Sequence, residues 1–68
     1  MKNSIKVERA IKDLTQAKLA DLVQVSRQTI NAIEKGKYVP STTLALKIAV
    51  IFEKNVNEIF KLEEKDWQ

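Results

Sequence analysis

Residues 25–40 read VSRQTINAIEKGKYVP and contain the chain's only glycine, Gly36, and its only proline, Pro40. Ser26 is suited to start a helix, because its hydroxyl can accept from the free amides of a first turn. The helix predicted from that start runs to about Lys35. Gly36 suits the left-handed residue that follows a helix, because it lacks the Cβ that penalises positive φ. Pro40 and Ser41 stop one path and begin the next. At about 100° per residue, Ile30 and Ile33 mark an inward face, with Gln28, Asn31, Ala32 and Lys35 opposite. Arg27 and Thr29 flank that outward set, which carries no negative charge.

Upstream, Thr15 caps a second helix in which Leu19, Ala20 and Val23 recur as a buried stripe. Only Gln24 to Ser26 separate it from the helix after Ser26. A first helix is expected from about Ile5 to Asp13, with Asn3 or Ser4 as its cap. Downstream, Ser41 caps a fourth helix from about Thr42 to Glu53, offering Leu44, Ile48, Ile51 and Phe52 for burial. NVNE at 55–58 reads as a capping box, Asn55 with Glu58. It starts a short fifth helix containing Ile59 and Phe60. The tail, Lys61 to Gln68, is charged but includes Leu62 and Trp67, and is expected to be extended or strand-like. Scarce glycine and no alternating β-branched runs argue against a sheet protein. The fold expected is all-α: a compact bundle of five helices, as one domain over 1–68 with its core at 5–60 and a tail at 61–68.

Composition excludes several chemistries. The chain has 68 residues with no cysteine and no histidine, so disulfides, thiolate or imidazole metal sites and thiol nucleophiles are absent. No enzyme, cofactor, metal or small-molecule ligand is implied. With 44% apolar and 31% charged residues, the balance is that of a folded domain. No stretch is apolar enough to span a membrane, and the N-terminus lacks a signal-peptide core, so a cytoplasmic location is expected. The charge of +3 is uneven: residues 1–37 carry eight basic and four acidic side chains, and residues 38–68 four and five. The basic half suits an anionic partner, although chance asymmetry of a solvated surface gives the same count.

Two short helices joined by a few residues have the spacing of a helix-turn-helix, whose second helix enters the DNA major groove. Gln28 suits adenine and Arg27 suits guanine as bidentate partners. Thr29 suits a phosphate or a thymine methyl, and Lys35 and Lys37 suit phosphates. An ordinary solvated helix face would show the same residues.

The stretch from Leu14 to Ser41 closely resembles the DNA-binding domain of Xre/Cro-type phage and bacterial repressors. Thr15-Gln16, Leu19-Ala20, Val25-Ser26-Arg27, Ile30, Glu34-Lys35-Gly36-Lys37 and Pro40-Ser41 carry the likeness, which extends from about Ile5 to Phe60. The resemblance implies a lambda-repressor-like bundle, a homodimer on a palindromic operator in double-stranded DNA, and a transcriptional repressor in a bacterial or phage nucleoid. An antitoxin or other protein-interaction module on the same fold is the alternative. The family pattern makes Gln16 a phosphate contact, Arg27, Gln28 and Ala32 base-reading positions with Asn31 beside them, and Lys37 a backbone contact. It pairs Arg9 with Glu34.

Departures from the family raise further expectations. Asp13, Gln24 and Glu53 stand where relatives commonly have glycine, so those turns are strained or differently shaped. Lys18 replaces the usual capping-box glutamate after Thr15. Glu8 stands where an apolar residue is usual. Val7 and Ile11 lie one turn apart on a face that relatives leave polar, so Leu62 and Trp67 are expected to cover them, within the subunit or across a dimer.

Overall fold

A computed structural model describes all of residues 1–68 and is mostly helical. The elements are β1 (Lys2–Asn3), α1 (Ile5–Lys12), α2 (Gln16–Val23), α3 (Arg27–Glu34), α4 (Thr42–Phe52), α5 (Val56–Ile59) and β2 (Phe60–Lys61). A single 3-10 turn follows at Glu64–Trp67. The molecule measures 34 × 22 × 20 Å.

Most helices begin where a side-chain oxygen meets a free amide. Thr15 Oγ1 accepts from the Lys18 N–H at 3.0 Å, Ser26 Oγ from Thr29 at 3.1 Å, and Ser41 Oγ from Leu44 at 3.1 Å. Each bond satisfies a donor that helix geometry leaves unpaired. Before α5, the Glu58 carboxylate reaches back to the Asn55 N–H at 2.8 Å. The start of α1 differs. Ser4 occupies the cap position, but its buried hydroxyl has no hydrogen-bond partner. Asn3 serves instead: Oδ1 accepts from the Ile5 N–H at 3.2 Å, and Nδ2 donates to the Ile33 carbonyl at 2.8 Å.

The first four helices all end through a left-handed residue: Asp13 at φ 55°, Gln24 at 64°, Gly36 at 73° and Glu53 at 56°. After each, the next N–H returns to a carbonyl five residues back. These are Leu14 to Arg9 at 2.8 Å, Val25 to Ala20 at 3.0 Å, Lys37 to Ala32 at 2.9 Å and Lys54 to Ala49 at 3.1 Å. This is the Schellman arrangement, which satisfies orphan carbonyls at the helix end. Asp13, Gln24 and Glu53 therefore keep the glycine-type turn and carry its strain, on the order of 1 kcal/mol each. Two of them have side-chain partners: Lys12 pairs with Glu53, and Lys47 Nζ donates to Gln24 Oε1 at 3.3 Å. The Lys12 ammonium holds the Glu53 carboxyl below its ordinary range.

The core is a single cluster. Ile5, Leu19, Val23, Ile30, Ile33, Ile48 and Ile59 are fully buried, and Leu44, Phe52 and Phe60 close the cluster. Burying a side chain of this size contributes about 1.5–3 kcal/mol, so Ile30 and Ile33 alone anchor α3 firmly. Glu8 lies within this apolar surround at 5% exposure. Its carboxylate accepts from Lys54 Nζ at 2.9 Å, which supplies the partner a buried charge requires.

The chain ends depart from the helical expectation. Phe60 is not in α5, which stops at Ile59. It belongs to β2, antiparallel to β1 with Lys2 opposite Lys61 and Asn3 opposite Phe60. The extended backbone there keeps the Phe60 ring in the core while turning Lys61 outward, as strand alternation requires. The Ser4 N–H continues the pairing to the Ile59 carbonyl at 2.9 Å. The remaining tail winds through the 3-10 turn, and the Met1 ammonium lies 3.0 Å from Glu63 and 3.1 Å from Asp66. Leu62 is 62% and Trp67 77% exposed, and Val7 and Ile11 remain 59% and 67% exposed, so within one chain the tail leaves them uncovered.

Candidate nucleic-acid interface

α2, the turn Gln24 to Ser26, and α3 form a tightly packed helical pair. Leu19, Ala20 and Val23 on α2 face Ile30 and Ile33 on α3 across the core. This inward anchoring decides what α3 presents outward. Arg27, Gln28, Lys35 and Lys37 are exposed, and Thr29, Asn31 and Ala32 are half-buried. Arg27, Lys35 and Lys37 have no ion-pair partner, so their charges are available to an external anion.

The only carboxylate on α3 turns away from that surface. Glu34 Oε2 accepts from Arg9 Nε at 2.7 Å, and Oε1 accepts from Nη2 at 3.0 Å. The two side chains are 14% and 8% exposed, so the fork-on-fork pair is largely desolvated. The hydrogen bond to Glu34 raises the Arg9 pKa further above its already high value. Arg9 Nη1 also donates to the Leu14 carbonyl at 3.0 Å. The guanidinium thus joins α1, the α1–α2 turn and α3.

Gln16, at the N-terminus of α2, is joined to the same group. Its Nε2 donates to Glu34 Oε1 at 3.2 Å and to Asn31 Oδ1 at 3.1 Å. Both amide hydrogens are therefore in use. The Thr29 hydroxyl lies 2.9 Å from Ser26 Oγ and is part of the helix start. Ala32 offers only a methyl group. The structure thus separates the residues singled out from sequence into two sets. Gln16, Asn31, Glu34 and Arg9 are joined by hydrogen bonds, while Arg27, Gln28, Lys35 and Lys37 stand free. It does not bring Val7 and Ile11 together with Leu62 and Trp67.

Gln28 and Arg27 carry donor and acceptor patterns that match the major-groove edges of adenine and guanine. Lys35 and Lys37, at and beyond the end of α3, have the charge that suits phosphates. The free N–H groups at the start of α2 favour an anion as well.

A short helix, a tight turn, and a second helix with an unpaired basic and amide surface define a helix-turn-helix protein. The family profile described as helix-turn-helix matches residues 5–59. A 53% identical HTH-type transcriptional regulator of Methanocaldococcus jannaschii aligns over 97% of this chain and its own full length. The HTH-type transcriptional regulator YgzD of Bacillus subtilis is 50% identical over the same shares. The ImmF control region 10 kDa protein of Bacillus phage phi105 is 35% identical over 88% of this chain and 66% of that protein. The chain belongs to the Xre-type helix-turn-helix family of transcriptional regulators. No helix in it is long and apolar enough to cross a membrane.

Sequence reasoning missed two contributions to this surface. Asn3 holds the C-terminal end of α3 through the Ile33 carbonyl, and Gln16 reaches both Glu34 and Asn31. Neither has a local sequence signal, because the partners lie 30, 15 and 18 residues apart. Glu8 is the one clue of this kind that sequence offers, since a polar residue where an apolar one is usual demands a partner; the partner itself, Lys54, lies in the turn after α4.

Proposed function

We propose that residues 1–68 act as one sequence-specific module for double-stranded DNA, with the core 5–60 as the reading unit and 61–68 as its tail. It represses transcription by occupying a palindromic operator as a homodimer in the cytoplasm, at the bacterial or phage nucleoid. The observation that carries this reading is the outer face of α3. It combines Arg27, Gln28, Asn31, Lys35 and the following Lys37 with no free acid, because Glu34 is turned into the Arg9 pair. Arg27 and Gln28 read bases, Thr29 and Ala32 lie at the groove edge, and Lys35 and Lys37 hold phosphates. Binding needs no cofactor, metal or small ligand, and no catalytic step.

One module of this size covers roughly 600–1,000 Å² on DNA. Two modules with recognition helices about 34 Å apart would read successive major grooves and supply the missing contact. Selection of bound duplexes from a random pool tests the reading, with Gln28→Ala alongside. A palindromic consensus that loosens at one base position in the variant is expected. Binding with no sequence preference refutes it.

The exposed Val7, Ile11, Leu22 and Trp67 favour a second reading, a protein-interaction module of antitoxin type. Weak DNA binding by the isolated chain, restored by a co-purifying protein, would support that reading instead.

A further inference from the structure

The hydrogen bonds from Arg9 to Asn31 form one relay in which each link fixes the polarity of the next. The relay starts from a charge. An ionised Glu34 only accepts, and Arg9 occupies both of its oxygens at 2.7 and 3.0 Å. Any amide beside it must present N–H groups. Gln16 does so at 3.2 Å, which fixes its Nε2 towards the protein. The second hydrogen on that nitrogen needs an acceptor, and Asn31 Oδ1 provides it at 3.1 Å. Asn31 Oδ1 is therefore turned towards α2, and its Nδ2 is left for a ligand.

We propose that Gln16 is a positioning residue that makes Asn31 a donor-only base reader. The inference rests on α3 being the DNA-reading helix. An asparagine reads adenine by donating to N7 while accepting from N6, and that requires its carbonyl to point at the base. Here the carbonyl points at Gln16. Asn31 accordingly favours an edge that presents acceptors, such as guanine N7 and O6 or thymine O4. It disfavours cytosine, whose N4 amino group meets Nδ2 donor to donor. Gln16 itself is unsuited to a phosphate. Its two N–H groups are occupied, and its remaining carbonyl oxygen would face another acceptor.

The test uses the operator selected by the full chain. Dissociation constants are measured for all four base pairs at each position, with wild type, Asn31→Ala, Gln16→Ala and the near-isosteric Gln16→Met. Salt dependence is measured in parallel, and folding of each variant is checked by circular dichroism. Wild type is expected to favour guanine or thymine over cytosine about fivefold at one position, the worth of one net hydrogen bond. Adenine should not exceed guanine there. Asn31→Ala and both Gln16 variants should flatten that same position to within about twofold, leave the others unchanged, and keep the salt slope. Gln16→Met keeps the test valid if Gln16→Ala fails to fold.

A uniform loss over all positions in Gln16→Met, with the salt slope reduced by about 0.9, makes Gln16 a phosphate contact and overturns the proposal. An adenine preference that Gln16→Met leaves intact also overturns it, as does an Asn31→Ala profile equal to wild type. A wild-type chain that selects no consensus removes the DNA-reading function and this inference together. The other outcomes remove the inference alone.

Discussion

Replacing Arg9 by methionine should destabilise the protein more than its place on the first helix suggests. The substitution keeps the aliphatic stem and removes the guanidinium, leaving Glu34 with only Gln16 as partner and the Leu14 carbonyl with none. Breaking a buried ion pair from one side costs about 3–5 kcal/mol. The side chains are 14% and 8% exposed, so the lower end applies, about 3 kcal/mol. A domain of this length has a total stability of about 3–10 kcal/mol, so the loss is a large fraction of the whole. At about 4–8 °C per kcal/mol, the thermal midpoint should fall by about 12–24 °C. Glu34→Met should cost a similar amount. The double variant should cost about 2 kcal/mol less than the sum of the singles, because two apolar side chains then fill the space with no orphaned charge. Urea unfolding followed at 222 nm gives all four stabilities. Additivity within about 0.5 kcal/mol would show that the pair does not couple α1 to α3 energetically.

Further expectations concern the turns and the remaining charges. Gln24→Gly should stabilise by about 0.5 kcal/mol, because relief of left-handed strain exceeds the added freedom of the unfolded chain. Gly36→Ala should destabilise by about 1 kcal/mol; a Cβ there meets nothing within 4 Å, so any larger loss in thermal unfolding would contradict a purely backbone cost. Lys54→Met should destabilise more than the double variant Glu8→Leu/Lys54→Met, since the single change strands a carboxylate in the core; equal losses in urea titrations would refute this. The Glu53 carboxyl has a lowered pKa in the folded state. Its contribution is therefore present above the ordinary carboxylate value and lost as pH falls through the lower folded value. The thermal midpoint of Glu53→Gln should lie below wild type at pH 7 and meet it near pH 2. A gap that survives at pH 2 would assign the effect to something other than the Lys12 pair.

The residues that start helices were legible in sequence because each acts within four positions of itself. Thr15, Ser26, Ser41 and Asn55 all stand where a first turn begins. Ile30 and Ile33 were legible for a similar reason, since helical period alone sets their direction. Asp13, Gln24 and Glu53 show the limit. Their side chains gave no local reason for positive φ, yet the five-residue return bond to Arg9, Ala20 and Ala49 holds them there. Phe60 shows another limit, because a two-residue strand is too short to display alternation. At the candidate interface, the identities of Arg27, Gln28 and the lysines could be read from sequence. The orientation of Asn31 could not, because it depends on Gln16 and on a charge pair that brings α1 to α3. Glu8 could be flagged as misplaced, but Lys54 as its partner follows only from the turn after α4.

The short ribbon of β1 and β2 has a consequence for the order of folding. It joins positions 58 or so residues apart, such as Lys2 and Lys61, whereas the helical pairs close over short turns. Closing the longest loop carries the largest entropy cost for the fewest bonds, so the ribbon forms after the helices have assembled. It is correspondingly the first part to open, and its amides should exchange with solvent through local fluctuations while those of α3 await global unfolding. Asn3 makes this opening matter beyond the chain ends. When the ribbon parts, the Ile33 carbonyl loses its side-chain donor and is held by the Gly36 N–H alone, so the end of α3 loses its one tie to the chain terminus while its backbone bonds persist.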